Sequence, residues 1–330
     1  MMSKTLRLGR AYLASAILVS TMVSTAASQS VSVEKFEFSS RQGYRVSDGE
    51  TELFITSEVG PRILRYGFVG GQNLFKVMTA QEEKWLTEGQ DWRLYGGHRV
   101  WVGPELPSYT YAADNEPLEI KVQPNGLIAT APPDPVGIEK EMEVEMSGGR
   151  VTITHRLTNR SSWPLDFAPW ALTMMAPGGT GVSTFPPRGT HPAQLAPTNP
   201  LVMSAFTNLS DPRWTFLEKY LVLRNDPNVS TPQKLGSYNE KTRGAYLLGS
   251  DLFVKRYEAL GPSEIYPDMG ASFETFTNNM VLELETLGPL ETVEIGETIE
   301  HIEVWSLHKN IAIAEWTDQE LDRVLAPLLD

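Results

Sequence analysis

The sequence predicts an all-β chain: one large antiparallel β-sandwich with few short helices. Three observations lead there. Apolar and polar residues alternate with period two in many segments, those segments are short, and Gly, Pro, Asn and Asp separate them. In Arg150–Thr158, Val151, Ile153, His155 and Leu157 share one face, and Thr152, Thr154, Arg156 and Thr158 share the other. Lys140–Met146 repeats the pattern, with Met142, Val144 and Met146 opposed to Glu141, Glu143 and Glu145. Ile299–Leu307 alternates less cleanly, but its β-branched and aromatic content suits a strand. Similar runs place strands at 33–38, 51–56, 62–68, 98–102, 118–122, 252–257 and 279–287.

Helical signals are few. Thr317 and Glu320 make a capping-box pattern, and Leu321, Val324, Leu325 and Leu328 follow at helical spacing. Short helical turns are expected near 80–86 and 211–218. The segment 177–200 carries too much Pro and Gly for regular structure and reads as a long excursion, either functional or decorative.

The first residues carry Lys4, Arg7 and Arg10, then an apolar stretch from Ala11 to Val23 and a small-residue tail at 24–28. This is the order of a secretory signal peptide. Cleavage is expected after Ala26, Ala27 or Ser28, with Ser28 favoured, so the chain is read as exported, periplasmic or extracellular. An uncleaved anchor is the competing reading, but the apolar stretch falls short of the roughly 20 residues of a membrane span. Loss of the leader takes the formal charge from −13, less the three cations, to −16. So acidic a chain repels phosphate backbones, which argues against nucleic acid as a partner, and no membrane contact is expected after cleavage. The chain has no cysteine, which excludes a disulfide framework and a lipid-modified Cys. Without an internal repeat or a linker-like shift in composition, residues 29–330 read as one domain.

No nucleophile elbow, phosphate loop, dinucleotide fingerprint or helical zinc motif occurs. The five histidines, at 98, 155, 191, 301 and 308, show no metal-ligand spacing. No metal or cofactor is therefore expected. Three constellations can carry chemistry. In Tyr95–Glu105 two glycines precede His98, Arg99, Trp101 and Glu105. The glycines let the backbone approach something closely, and a strand at 98–102 puts Arg99 and Trp101 on one face and His98 on the other. The run is either a sugar-binding edge or a turn leading into a core strand. In Met280–Pro289, Glu283 and Glu285 share the polar face of a strand, about 6.6 Å apart from the rise per residue. Two such carboxylates disfavour each other's ionisation, and partial burial makes one a general acid or base near neutral pH; a solvated polar face is the plainer reading. Third come ionisable residues in apolar surroundings: Arg62, Lys255 and His155, the last read as a hydrogen-bonded core histidine. Trp170 in Ala168–Trp170 is either core or a stacking platform.

Four segments together resemble an uncharacterised family of exported proteins related to the galactose mutarotases, or aldose 1-epimerases. They are Gly60–Ile63, Gly96–Glu105, Thr154–Asn159 leading to Ala168–Trp170, and Leu282–Pro289. The resemblance spans most of the chain after the leader and implies the mutarotase supersandwich, with a sugar cleft. In mutarotases a glutamate takes the proton of the anomeric hydroxyl while a histidine protonates the ring oxygen. Leu284-Glu285-Thr286 resembles the motif of the catalytic glutamate, so the resemblance gives Glu285 the role of base. The mid-chain stretch expected to hold the histidine, Phe167–Thr173, has none.

The leading expectation is an aldose or uronate 1-epimerase-like isomerase. Glu285 is its base and His98 its acid, while Arg62, Arg99, Trp101, Glu105, Trp170, Lys255 and Glu283 bind a mono- or oligosaccharide. The alternatives are a non-catalytic carbohydrate-binding protein using Trp101 and Trp170 as platforms, and a polysaccharide hydrolase or lyase using Glu283 and Glu285 as a pair.

Overall fold

The computed structural model describes residues 30–84, 91–196 and 201–329, and the leader read over residues 1–28 lies outside them. A meander opens the described chain: β1 (Ser32–Phe38), β2 (Arg41–Ser47), β3 (Thr51–Thr56) and β4 (Ile63–Phe68). β5 (His98–Gly103) follows after a long connection. A second meander, β6 (Glu119–Gln123), β7 (Gly126–Thr130), β8 (Ile138–Ser147) and β9 (Arg150–Asn159), builds a different sheet. β10 (Leu165–Met175) then crosses back to pair with β5. The rest of the chain visits both sheets through β11 (Thr180–Thr184), β12 (Val202–Met203), β13 (Trp214–Phe216), β14 (Tyr220–Arg224) and β15 (Gln233–Ser237). β16 (Lys241–Leu248), β17 (Asp251–Glu258), β18 (Phe273–Thr277), β19 (Leu282–Leu287), β20 (Glu291–Val293) and β21 (Thr298–His308) complete it.

The first sheet is ordered β1-β2-β3-β4-β5-β10-β19-β18-β15-β12, with β20 paired to β10. The second is ordered β13-β14-β11-β16-β17-β21-β9-β8-β7-β6. All these pairings are antiparallel. The two sheets pack face to face, as the alternation requires. Met142, Val144 and Met146 of β8 and Val151, Ile153 and Leu157 of β9 are buried between them. On the outer face Arg156 ties three strands together, with ion pairs to Glu141 at 2.8 Å, Glu143 at 2.8 Å and Glu300 at 2.7 Å.

Helix is confined to short pieces. Thr317 caps the helix Asp318–Val324 by accepting the Glu320 N–H. Glu320 does not close the box on Thr317; its carboxylate accepts the Ala314 N–H instead. Leu321, Leu325 and Leu329 are buried against Val182, Val222 and Val254 of the second sheet. The turn expected near 80–86 is a 3-10 turn at Glu82–Lys84. The one expected at 211–218 is instead strand β13, because Trp214 is buried beside β14 and its indole N–H donates to Gln233 at 3.1 Å. The excursion at 177–200 contains β11 at its start.

A polar cluster sits between the sheets. Glu303 of β21 accepts from Lys255 at 2.8 Å, from the Trp305 indole at 2.9 Å and from the Thr286 hydroxyl. His98 meets His155 at 2.9 Å and Thr173 at 2.9 Å, and His301 meets Thr286 at 2.8 Å. Burial, with the Lys255 charge nearby, holds the three imidazoles well below their ordinary pKa, His301 at about 3, so they are neutral. Lys255 also donates to the carbonyls of Ala171 at 3.2 Å and Leu284 at 3.1 Å, joining the second sheet to the centre of the first. Lys255→Met leaves the Glu303 charge buried without its cation and is expected to cost about 3–5 kcal/mol in urea unfolding. Glu303→Gln added to it should restore part of that loss. A single variant as stable as the parent would mean that this ion pair does not hold the sheets together.

Candidate functional site

The outer face of the first sheet, opposite the polar cluster, carries a cleft of about 410 Å³. Its floor follows from strand register. Arg99 of β5 lies opposite Leu172 of β10, Leu172 opposite Glu285 of β19, and Glu285 opposite Glu274 of β18. The neighbouring row runs Met174, Glu283, Phe276 and Lys234. Because all these strands alternate, both rows emerge on the same side. Trp92, Tyr111, Trp101 and Trp170 form one wall as mostly edge-to-face neighbours 5.0–5.5 Å apart, and Met203 and Phe206 stand at the rim.

Of the residues picked from sequence, Arg99, Trp101, Glu105, Trp170, Glu283 and Glu285 all line this cleft. Three others do not reach it. His98, expected to be the acid, points between the sheets, fully buried, because a strand sends it to the face opposite Arg99. Lys255 is consumed in the same inter-sheet cluster. Arg62 is buried in an ion pair with Asp114 at 2.6 Å, and Asp114 lines a separate depression. The Gly96-Gly97 pair is also reassigned. A Cβ on Gly96 would lie 2.3 Å from the Lys76 carbonyl oxygen and one on Gly97 2.2 Å from that of Ile63. The glycines, both at positive φ, let the chain pack against its own backbone rather than against a ligand.

The two tryptophans are not open platforms. The Arg99 guanidinium lies 3.6 Å from the centre of the Trp101 ring, and the Lys234 ammonium lies 4.6 Å from that of Trp170. Each ring holds a cation instead. Lys234, Glu274, Asp268 and Tyr111 line the cleft without having been picked. Alternation in Phe273–Thr277 pairs Glu274 with Phe276 on one face, and that signal was available. Lys234 needed the register of β15 against β18.

The two carboxyls of β19 live in different surroundings. Glu285 accepts from the Trp170 indole at 2.9 Å and from Lys234 at 3.2 Å, and Lys234 also pairs with Glu274 at 2.7 Å. Burial raises the Glu285 pKa to about 7, with the Lys234 charge pulling it back. The Glu283 carboxyl has no hydrogen-bond donor among the described residues, although its backbone carbonyl accepts the Thr275 hydroxyl at 2.8 Å, and burial with the neighbouring Glu285 pushes its pKa up to about 8. Burial also raises Glu274 and Asp268. Lys234 is held above the ordinary lysine value by Glu285 and Glu274, against the effect of its burial. Glu105 accepts the Tyr111 hydroxyl at the cleft edge. Asp268 and the adjacent Met269 both sit at positive φ, a strained pair beside the cleft.

Neither a protein-family model nor a curated protein matches the sequence. The fold, however, recurs in solved structures. A candidate aldose 1-epimerase from Klebsiella pneumoniae subsp. pneumoniae aligns over 85% of this chain and 84% of its own, at 11% identity and a TM-score of 0.52. A galactose mutarotase-like protein from Clostridium acetobutylicum aligns over 85% of this chain and 99% of its own, at 10% identity and a TM-score of 0.50. A TPR-domain-containing protein from Parabacteroides distasonis aligns over 81% of this chain and 47% of its own, at 9% identity and a TM-score of 0.51. At these identities the likeness is one of fold.

The raised carboxyls have a consequence for stability. An unfolded glutamate ionises near 4.5, whereas folded Glu283 and Glu285 hold their protons to about 8 and 7. Between about pH 4.5 and 8 the folded chain therefore binds more protons at these sites, and their contribution to stability falls as pH rises. Glu283→Gln removes one such site, so its unfolding midpoint should decline less steeply from pH 5 to 8 than the parent's. Identical slopes would show that Glu283 titrates in its ordinary range.

Proposed function

We propose, for a chain with the galactose mutarotase-like fold, that the cleft over β5, β10 and β19 binds a sugar and interconverts its anomers. The observation that carries the reading is the pair of cleft-facing carboxyls on β19 in contrasting surroundings. Two neighbouring carboxyls, both raised by burial and only one of them given hydrogen-bond donors, can share one proton as an acid and a base. Glu285, held by the Trp170 indole and Lys234, is the member stabilised as carboxylate. Glu283, whose carboxyl has no donor among the described residues and which burial beside Glu285 raises, is the member that keeps its proton.

The reaction then closes on itself. Glu285 takes the proton of the anomeric hydroxyl as the bond from the anomeric carbon to the ring oxygen breaks. Glu283 gives its proton to that ring oxygen, and the open-chain aldehyde turns about its first carbon–carbon bond. On reclosure the hydroxyl attacks the other face of the carbonyl, returning its proton to Glu283, while Glu285 returns the other to the new anomeric oxygen. Both carboxyls end as they began.

The test is anomer exchange by NMR on freshly dissolved aldoses and uronic acids. Glu285→Gln and Glu283→Gln should each lower the acceleration at least 10²-fold, the usual worth of a positioned acid or base. The parent should be fastest between about pH 7 and 8, where the pair carries one proton. Full activity in Glu285→Gln sinks the base. Ligand-induced shifts without any acceleration would make the chain a carbohydrate-binding protein of this fold.

A further inference from the structure

Arg99 is a charged group of the cleft wall that the reaction above leaves without a role. Its side chain is 2% exposed, and among the described residues none of its three guanidinium nitrogens has a hydrogen-bond acceptor. Stacking on Trp101 at 3.6 Å and the Trp92 ring at 5.2 Å stabilises the charge through the faces of the guanidinium plane. Rings satisfy no N–H, so the donors along the edge of the plane remain unmet. Glu105 takes the Tyr111 hydroxyl and Asp114 meets Arg62 through Oδ2, while Glu283 and Asp114 act on Arg99 electrostatically without forming an ion pair with it. Burial pushes the Arg99 pKa down to about 9, the response of a cation lacking a counterion. Leaving buried donors of a charged group unmet costs several kcal/mol, and such a group in a cleft is normally completed by what binds there.

Hydroxyls would answer single N–H groups but leave the charge uncompensated. A carboxylate answers both: its two oxygens match two parallel N–H groups of the guanidinium and its charge cancels the cation. A phosphate or sulfate ester fits less well. The cleft already holds five acidic residues, Glu105, Asp268, Glu274, Glu283 and Glu285, against two cations, and Lys234 is committed to Glu274 and Glu285. A second negative charge on the ligand would find no cation to receive it. Arg99 lies in the row of Glu285 and within electrostatic reach of Glu283. In a uronic acid the carboxylate is attached to the carbon next to the ring oxygen, so seating it on Arg99 brings that oxygen toward the carboxyl pair.

Resting on the sugar-binding reading of this cleft, we propose that its ligand is a uronic acid, whose carboxylate pairs with the stacked Arg99 guanidinium. Calorimetric titration with galacturonate, glucuronate, galactose, glucose and galactose 6-phosphate, at one pH and ionic strength, tests it. The expected result is a uronate bound about tenfold or more tighter than its neutral hexose, the worth of about 1.4 kcal/mol for one charge-assisted pair. In Arg99→Met that ratio should fall to near one. In Arg99→Lys, which keeps the charge but loses the paired donors, it should lie between the two. Near-ultraviolet circular dichroism on each variant checks that the tryptophan wall is intact. Equal affinity for galacturonate and galactose, or a ratio unchanged in Arg99→Met with the wall intact, overturns the uronate assignment while leaving a sugar site. Preference for the 6-phosphate overturns the carboxylate. No binding of any of the five overturns the sugar reading itself, and this inference with it.

Discussion

In an extended strand successive side chains leave on opposite faces, and the three central strands of the first sheet are covered on both. Everything distinctive about this protein follows from what that rule does to β5, β10 and β19. His98 goes inward and Arg99 outward; Thr173 goes inward and Leu172 outward; Thr286 goes inward and Glu285 outward. The inward set joins Glu303, Lys255 and the histidines of the second sheet in a buried hydrogen-bonded cluster. The outward set becomes the floor of the cleft. A slip of one residue in β5 would put the His98 imidazole in the cleft, and one in β19 would put the Glu283 and Glu285 carboxyls among the core side chains. The inner cluster therefore fixes the register on which the outer site depends.

Charge on the outer face is arranged by the same economy of neighbours. The two cations of the cleft lie on tryptophans of its wall, Arg99 on Trp101 and Trp92 and Lys234 on Trp170. Lys234 spends its donors on Glu274 and Glu285, and the Trp170 indole spends its own on Glu285. One carboxyl of the β19 pair is thereby provided with donors and the other is not. Arg99 spends nothing, since the ring faces beneath it accept no N–H bond of ordinary strength. The asymmetry between two glutamates two residues apart, and between two cations on similar rings, arises from register rather than from residue type.

Much of the fold was legible in the sequence because period two survives in single strands. The runs at 140–146 and 150–158 fall within β8 and β9, and the Thr317 cap starts the C-terminal helix as its spacing predicts. The carboxyl pair and the Arg99–Trp101 face were legible for the same reason. The choice of His98 as partner to Glu285 failed on the rule that found the others, since alternation already set His98 opposite Arg99. Arg62 and Lys255 show a different limit: an isolated cation in an apolar run looks the same whether it faces a ligand or an acidic residue far along the chain, here Asp114 and Glu303. Lys234 and Glu274 enter the cleft only through the order β19-β18-β15, which no local pattern specifies. The strand at 214–216 has too few residues to display a period, so nothing in the local sequence sets it apart from a helical turn.

The missing mid-chain histidine is explained by what β10 contributes instead. Its outward residues are Trp170, Leu172 and Met174, none able to exchange a proton near neutral pH, and its one polar atom at the cleft, the Trp170 indole, donates to Glu285. On the proposed reading, the strand that the resemblance expects to supply an acid steadies the base instead. Ring opening does not require the acid and base to come from opposite walls, because the anomeric hydroxyl and the ring oxygen are bonded to the same carbon. Two carboxyls on one strand, side by side and unequal in their donors, can address both oxygens from one direction. On that reading, with no acid on β10, β19 is the element whose alternation provides a second carboxyl two residues from the first.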